Sequence, residues 1–156
     1  MVAFGAQAPA AHTDGHALND NDKEFVMKAL KGGMKEVQMG QLGQKRATNP
    51  EVKALAKTII EDHSTANREL KALAKKKGIT VPPDKQMVVP DEGMSARTGN
   101  EFDRAFAQAM VDDHKADIAE FEKAAQSATD PDIKSWAAGK LPTLRAHLEK
   151  AQMLAK

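Results

Sequence analysis

The sequence predicts an all-α domain: a four-helix bundle built from two related helical hairpins and a long connection between them. Three observations carry this. The hydrophobic share is 41% but aromatics make up only 4%, with one Trp and no Tyr. Such a core must be built from Leu, Ile, Val, Met and Ala, which suit helices better than sheets. Four stretches place apolar residues at helical spacing beside capping signals, and one block of sequence recurs at an offset of 81 residues. With 156 residues the chain is one ordinary domain, long enough to bury a core.

The first helix is expected from about Asn21 to Arg46. Asn21 and Glu24 stand in capping-box spacing, and Val26, Leu30, Gly33, Val37 and Gly40 share a face. The second opens at Asn49-Pro50-Glu51, an N-cap, a proline in the first turn and an acid for the helix dipole. Its stripe is Val52, Leu55, Ile59, His63, Ala66, Leu70 and Leu73, and it stops at Lys77-Gly78. The third begins between Thr98 and Glu101 and carries Phe102, Phe106, Met110, His114, Ile118, Phe121 and Ala125. The fourth opens at Asp130-Pro131-Asp132 and carries Ile133, Ala137, Leu141, Leu144, Leu148 and Ala151, with Pro142 inside it as an expected kink. Gly32, Gly33 and Gly40 each cost about 1 kcal/mol of helix propensity against Ala, so they are expected to give room for a neighbouring helix or a ligand.

Residues 79–97 hold Pro82, Pro83, Pro90 and Gly93 and form the single long connection. At ~3.3 Å per residue this segment reaches roughly 60 Å, more than the ~40 Å of such a helix, so it can cross the bundle as in ferritin-like folds. The repeat supports two hairpins. Residues 47–56 read against 128–137 with five of ten identical, and the same offset pairs Glu36-Val37 with Asp117-Ile118.

Charge is balanced, 23 basic against 22 acidic residues for a net +1. No basic stripe is interleaved with aromatics, so nucleic acid is not an expected partner. There is no cysteine, which excludes thiolate metal sites, thiol catalysis and disulfides. No apolar run approaches bilayer-spanning length, and no membrane insertion is expected. Residues 1–19 have no helical period and read as a flexible arm following a removed signal peptide, with the bundle domain at 20–156. His12 and His16 in that arm are expected to bind metal loosely at best. Met27, Met34, Met39, Met110 and Met153 are expected to fill the core.

Three histidines lie inside helices. His63 continues the stripe of the second helix, His114 that of the third, and His147 borders the apolar face of the fourth. Counted from the hairpin turns, His63 is 13 residues past Pro50 and Glu36 is 14 before it. His147 is 16 past Pro131, with Asp117 and His114 at 14 and 17 before it. These groups therefore fall near one level, with each helix offering a side chain to the centre. Neutral imidazoles and a carboxylate at one height suit a mononuclear zinc, iron or copper ion, with His63, His114, His147 and Glu36 as ligands. Asp62 and Asp113 are candidates to orient them. The structural alternative is a polar layer in which a buried histidine is satisfied by a carboxylate, as His63 with Glu36. A dinuclear oxidase needs Glu-x-x-His on two helices; Ile60, Val111 and Leu144 stand three residues before the histidines instead.

Several of these segments together resemble a known family. They are residues 33–40, Asn49 to Lys53, residues 61–67, Phe102-Asp103, Asp113-His114 and Leu141 to Leu148. From about Asp20 to Leu154 the chain is similar to the bacterial domain of unknown function 4142 family. The resemblance implies a ferritin-like four-helix domain, made with a signal peptide and placed in the periplasm or cell envelope. It carries no activity to transfer. The leading expectation is a non-catalytic periplasmic metal-binding or stress-associated protein, monomer or homodimer. The alternative is a structural or interaction module, and third stands a metal-dependent oxidase.

Overall fold

The computed structural model describes residues 18–89, 91 and 93–156. His12, His16 and most of the expected arm lie outside the described residues. Four helices carry the fold: α1 (Asp20–Arg46), α2 (Pro50–Lys76), α3 (Gly99–Ser127) and α4 (Pro131–Leu154). No strand occurs among the described residues, and no helix there is long and apolar enough to cross a membrane.

The capping signals set the starts of α2 and α4 as expected, while Thr98 ahead of α3 makes no side-chain capping bond. Asn49 and Asp130 cap α2 and α4 through their side chains, each followed by proline in the first turn. The cap of α1 is Asn19, whose side chain accepts from the Asp22 N–H at 2.8 Å. It lies two residues before the expected Asn21, because the extended backbone a cap needs occurs at Asn19, while Asn21 is already helical. Gly78, at φ +71°, ends the α2 region as only glycine does without strain. α4 runs unbroken through Pro142.

A reciprocal pair of buried carboxylates ties the hairpins together. Asp103, in the first turns of α3, accepts from the Thr48 N–H, the Thr48 hydroxyl and the Asn49 N–H at 3.0, 2.5 and 2.9 Å. Asp22, in α1, does the same for the other turn. It accepts from the Thr129 N–H and hydroxyl at 3.1 and 2.8 Å and from the Asp130 N–H at 2.8 Å. Asp22 and Asp103 are 81 residues apart, as are Thr48 and Thr129. The repeat is thus a structural two-fold, with each half capping the other. It follows that α1 runs up, α2 and α3 down and α4 up. The connection from α2 to α3 must therefore travel the length of the bundle.

That connection is pinned along its route. Asp84 takes Lys71 of α2 at 2.6 Å. Val89 exchanges two backbone hydrogen bonds with the Gln38 side chain of α1, and Arg46 donates to the Arg97 carbonyl. Met87 and Met94 bury their side chains beneath it. Met39 and Met110 are buried as expected, but Met153 is exposed, since the last turn of α4 turns that position outward.

The apolar core falls into two clusters, one around Leu55, Ile59, Phe102 and Phe106, the other around Leu30, Leu70, Phe121 and Ile133. Between them the inward positions are polar. Helical period selects Glu36 rather than Val37 for the interior of α1, and Val37 is half-buried. Two of the three expected glycines carry close packing. A Cβ on Gly40 would lie 2.9 Å from the Ala56 carbonyl oxygen and 2.6 Å from Ile60, and one on Gly33 would overlap the Asn67 side chain. A Cβ on Gly32 would meet only ordinary contact.

Two predictions follow from this architecture. Asp22→Ala and Asp103→Ala should each lower stability by about 2–4 kcal/mol, since each strands two backbone donors. Their effects should add in the double variant, because the sites sit at opposite ends of a ~40 Å bundle. Chemical denaturation measures both; a strongly sub-additive double variant would break the picture of two independent locks. Gly40→Ala should destabilise by about 1–3 kcal/mol against an unyielding carbonyl, whereas Gly32→Ala should stabilise by up to about 1 kcal/mol. Midpoints moving in the same direction would contradict the difference in packing.

Candidate metal centre

Three histidines from three helices meet in the polar layer. The ligand atoms of His63, His114 and His147 lie within 4.8 Å of one another, and all three rings are buried. His63 Nε2 is 3.4 Å from His114 Nε2, which is 3.2 Å from His147 Nδ1. Two nitrogens bound to one ion at 2.0–2.1 Å in tetrahedral geometry stand about 3.3–3.4 Å apart. Two of the three spacings, 3.4 and 3.2 Å, are those of a coordination shell.

The outer nitrogens fix the tautomers. His114 Nδ1 lies 2.9 Å from the Met110 carbonyl, which only accepts, so the ring proton is on Nδ1 and Nε2 keeps its lone pair. His147 Nε2 lies 2.8 Å from the Asp62 carboxylate, so the proton is there and Nδ1 keeps its lone pair. Two lone pairs consequently face each other across 3.2 Å. A proton on His63 Nε2 serves its own contact with His114 but leaves that one without a hydrogen. A cation between the rings resolves the conflict. Protonating His63 or His114 is a costly resolution: burial, with the neighbouring imidazoles, pushes His63 down to about 3 and His114 to about 4, the Met110 bond opposing in part.

The carboxylates divide. Asp62 orients a histidine as expected, but that of α4 rather than its sequence neighbour His63, because adjacent residues on a helix point apart. Asp113 pairs with Lys35 at 2.7 Å. Glu36 lies behind the His114 ring, with Oε1 3.7 Å from Nδ1, the nitrogen that already donates to Met110. It is not among the clustered ligand atoms. Among the described residues, neither of its buried oxygens has a hydrogen-bond partner. Burial first, then Asp117 and Asp113, raises the Glu36 carboxyl well above the ordinary range. Burial and Asp113 likewise lift Asp117 to about 6. The pairing of His63 with Glu36 does not form.

A cavity of about 140 Å³ opens beside the cluster, with His63 and His147 in its wall next to Asp62, Asn67 and Asp117. Its apolar side is made by Phe121, Trp136 and Leu144. The sequence reading had no means to find it, since Trp136 and Asn67 enter only when α2 and α4 are side by side.

The model of the family described as Domain of unknown function (DUF4142) matches residues 7–154. The chain belongs to this family. A comparison with curated proteins finds no match. Among solved structures, a DUF305 fragment from Deinococcus radiodurans superposes with a TM-score of 0.75 at 16% identity, covering 88% of this chain and 97% of that one. CopM in the Cu(I)-bound form does so at 0.73 and 18% identity, covering 85% and 93%. A DUF305 protein from Streptomyces coelicolor, described as a candidate secreted protein, gives 0.74 at 15% identity, covering 86% and 91%. At these identities the likeness is one of fold, and it bears out the all-helical domain.

The raised Asp117 carboxyl has a signed consequence. Its folded value lies above the unfolded 3.8, so the folded state is penalised where Asp117 ionises, above about pH 6, and relieved as pH falls toward 4. Asp117→Asn should therefore be more stable than the wild type at pH 8, by up to about 3 kcal/mol. The advantage should fade between pH 6 and 4 in paired denaturation curves. A constant difference across that range would remove the assignment.

Proposed function

We propose that this protein is an exported, non-catalytic metal-binding bundle that holds one transition-metal ion through His63 Nε2, His114 Nε2 and His147 Nδ1. The observation that carries the reading is the pair of lone pairs opposed at 3.2 Å in a buried layer. A metal ion is the cation that neutral imidazoles receive there without protonation. The outer partners support it: His114 donating to a backbone carbonyl and His147 to a carboxylate are the arrangement by which ligating histidines are oriented and made more basic. Three imidazoles without thiolate suit zinc, iron or copper rather than the oxygen-seeking magnesium and calcium. The CopM structures described as Cu(I)-, Cu(II)- and Ag-bound share the fold and favour copper among these.

Glu36 takes a different part from that of a fourth ligand. Set against the far side of His114, its carboxyl can share the Nδ1 proton with Met110 when the ring gains positive charge from the ion. Export agrees with the family resemblance and with the description of the Streptomyces coelicolor relative in fold.

The test is metal content. Metal-free protein should take up one equivalent of zinc or copper, read by calorimetry and elemental analysis. His63→Ala should abolish stoichiometric uptake, and Asp62→Ala should weaken it about 10–100-fold. If wild type and His63→Ala bind equally weakly, the metal reading fails. The layer would then be a polar module that fixes how the helices register.

A further inference from the structure

The cavity beside the histidines is unused by the metal reading. It touches His63 and His147, two of the three clustered rings, so a molecule in it would lie beside them. Its volume of about 140 Å³ is close to that of an engineered ~150 Å³ cavity that admits benzene, so one small ring is the right size. Phe121 and Trp136, with ring planes 42° apart, and Leu144 supply the apolar side, and Asn67 adds a buried amide to the lining.

The charge of the lining narrows the occupant. Asp62 and Asp117 border the space and oppose an anion. Among the described residues Lys140 is the one lysine or arginine in the lining, but its ammonium is engaged by Glu69 and lies 5.8 Å over the Trp136 ring. An anion therefore has no dedicated partner.

We propose that this cavity is a binding site for one small, flat, neutral nitrogen heterocycle of the imidazole class. Its ring nitrogen completes the coordination of the ion and its ring lies against Phe121 and Trp136. The inference rests on the metal reading above. It makes the protein a carrier with an exchangeable fourth ligand rather than a closed metal store.

Cobalt(II) is the probe, because its visible d–d bands report coordination. One equivalent should bind wild type and not His63→Ala; absence of binding to wild type removes the proposed function and this inference with it. Imidazole added to the cobalt-loaded protein should shift the bands saturably, while azide and acetate at equal concentration should leave them unchanged. Ala66→Leu, which adds bulk to the cavity wall one turn from His63, should keep cobalt uptake and lose the imidazole response. Ala29→Leu, on the α1 side of the same wall, serves if the first variant does not fold. Bound cobalt with bands indifferent to imidazole overturns the inference alone, and so does an equal response in the filled-cavity variants or a stronger response to the anions.

Discussion

The architecture depends on two carboxylates buried at opposite ends of the molecule. Asp22 and Asp103 each take N–H groups of the turn belonging to the other hairpin, at the residues just ahead of those that the Asn49 and Asp130 side chains cap. Because each helix terminus leaves its first donors unpaired, a carboxylate aimed at them fixes position as well as energy. Register along the bundle is thereby set at both ends at once. Residues at the middle of four separate helices are then held at one height without any contact at the middle having to enforce it.

What sits at that height explains the composition of the rest. A polar layer between two apolar clusters breaks the continuity of the core, and its burial is unfavourable unless its groups are partnered. Some are partnered well, as His147 is by Asp62 and His114 by Met110. Others, among the described residues, are not, notably both oxygens of Glu36. A layer selected only for stability has little reason to keep an orphaned carboxyl beside two opposed imidazole lone pairs.

Much of this was legible in the sequence, and the reasons are specific. Asx-Pro-acid caps announced α2 and α4, and counting residues from those prolines put His63, His114 and His147 at a common level, because rise per residue is constant along a helix. Counting height, however, does not give azimuth. It could not distinguish a Glu36 that faces the open side of the rings from one that stands behind His114, nor show that Asp62 serves a histidine of another helix. The offset of 81 also joined Asp22 to Asp103 in plain view. Matching caps alone do not reveal that pairing, because the groups that satisfy the turns lie on the helices facing them.

The two-fold that relates the hairpins is obeyed by the scaffold and broken at the centre. Under the offset, Glu36 answers to Asp117, but His114 answers to Gly33, His63 to Leu144 and His147 to Ala66. Two copies of the first hairpin would bring two imidazoles to the axis, and two copies of the second would bring four. Neither gives three. Three imidazoles at the midpoint therefore require two unlike halves, and neither half supplies all three by itself.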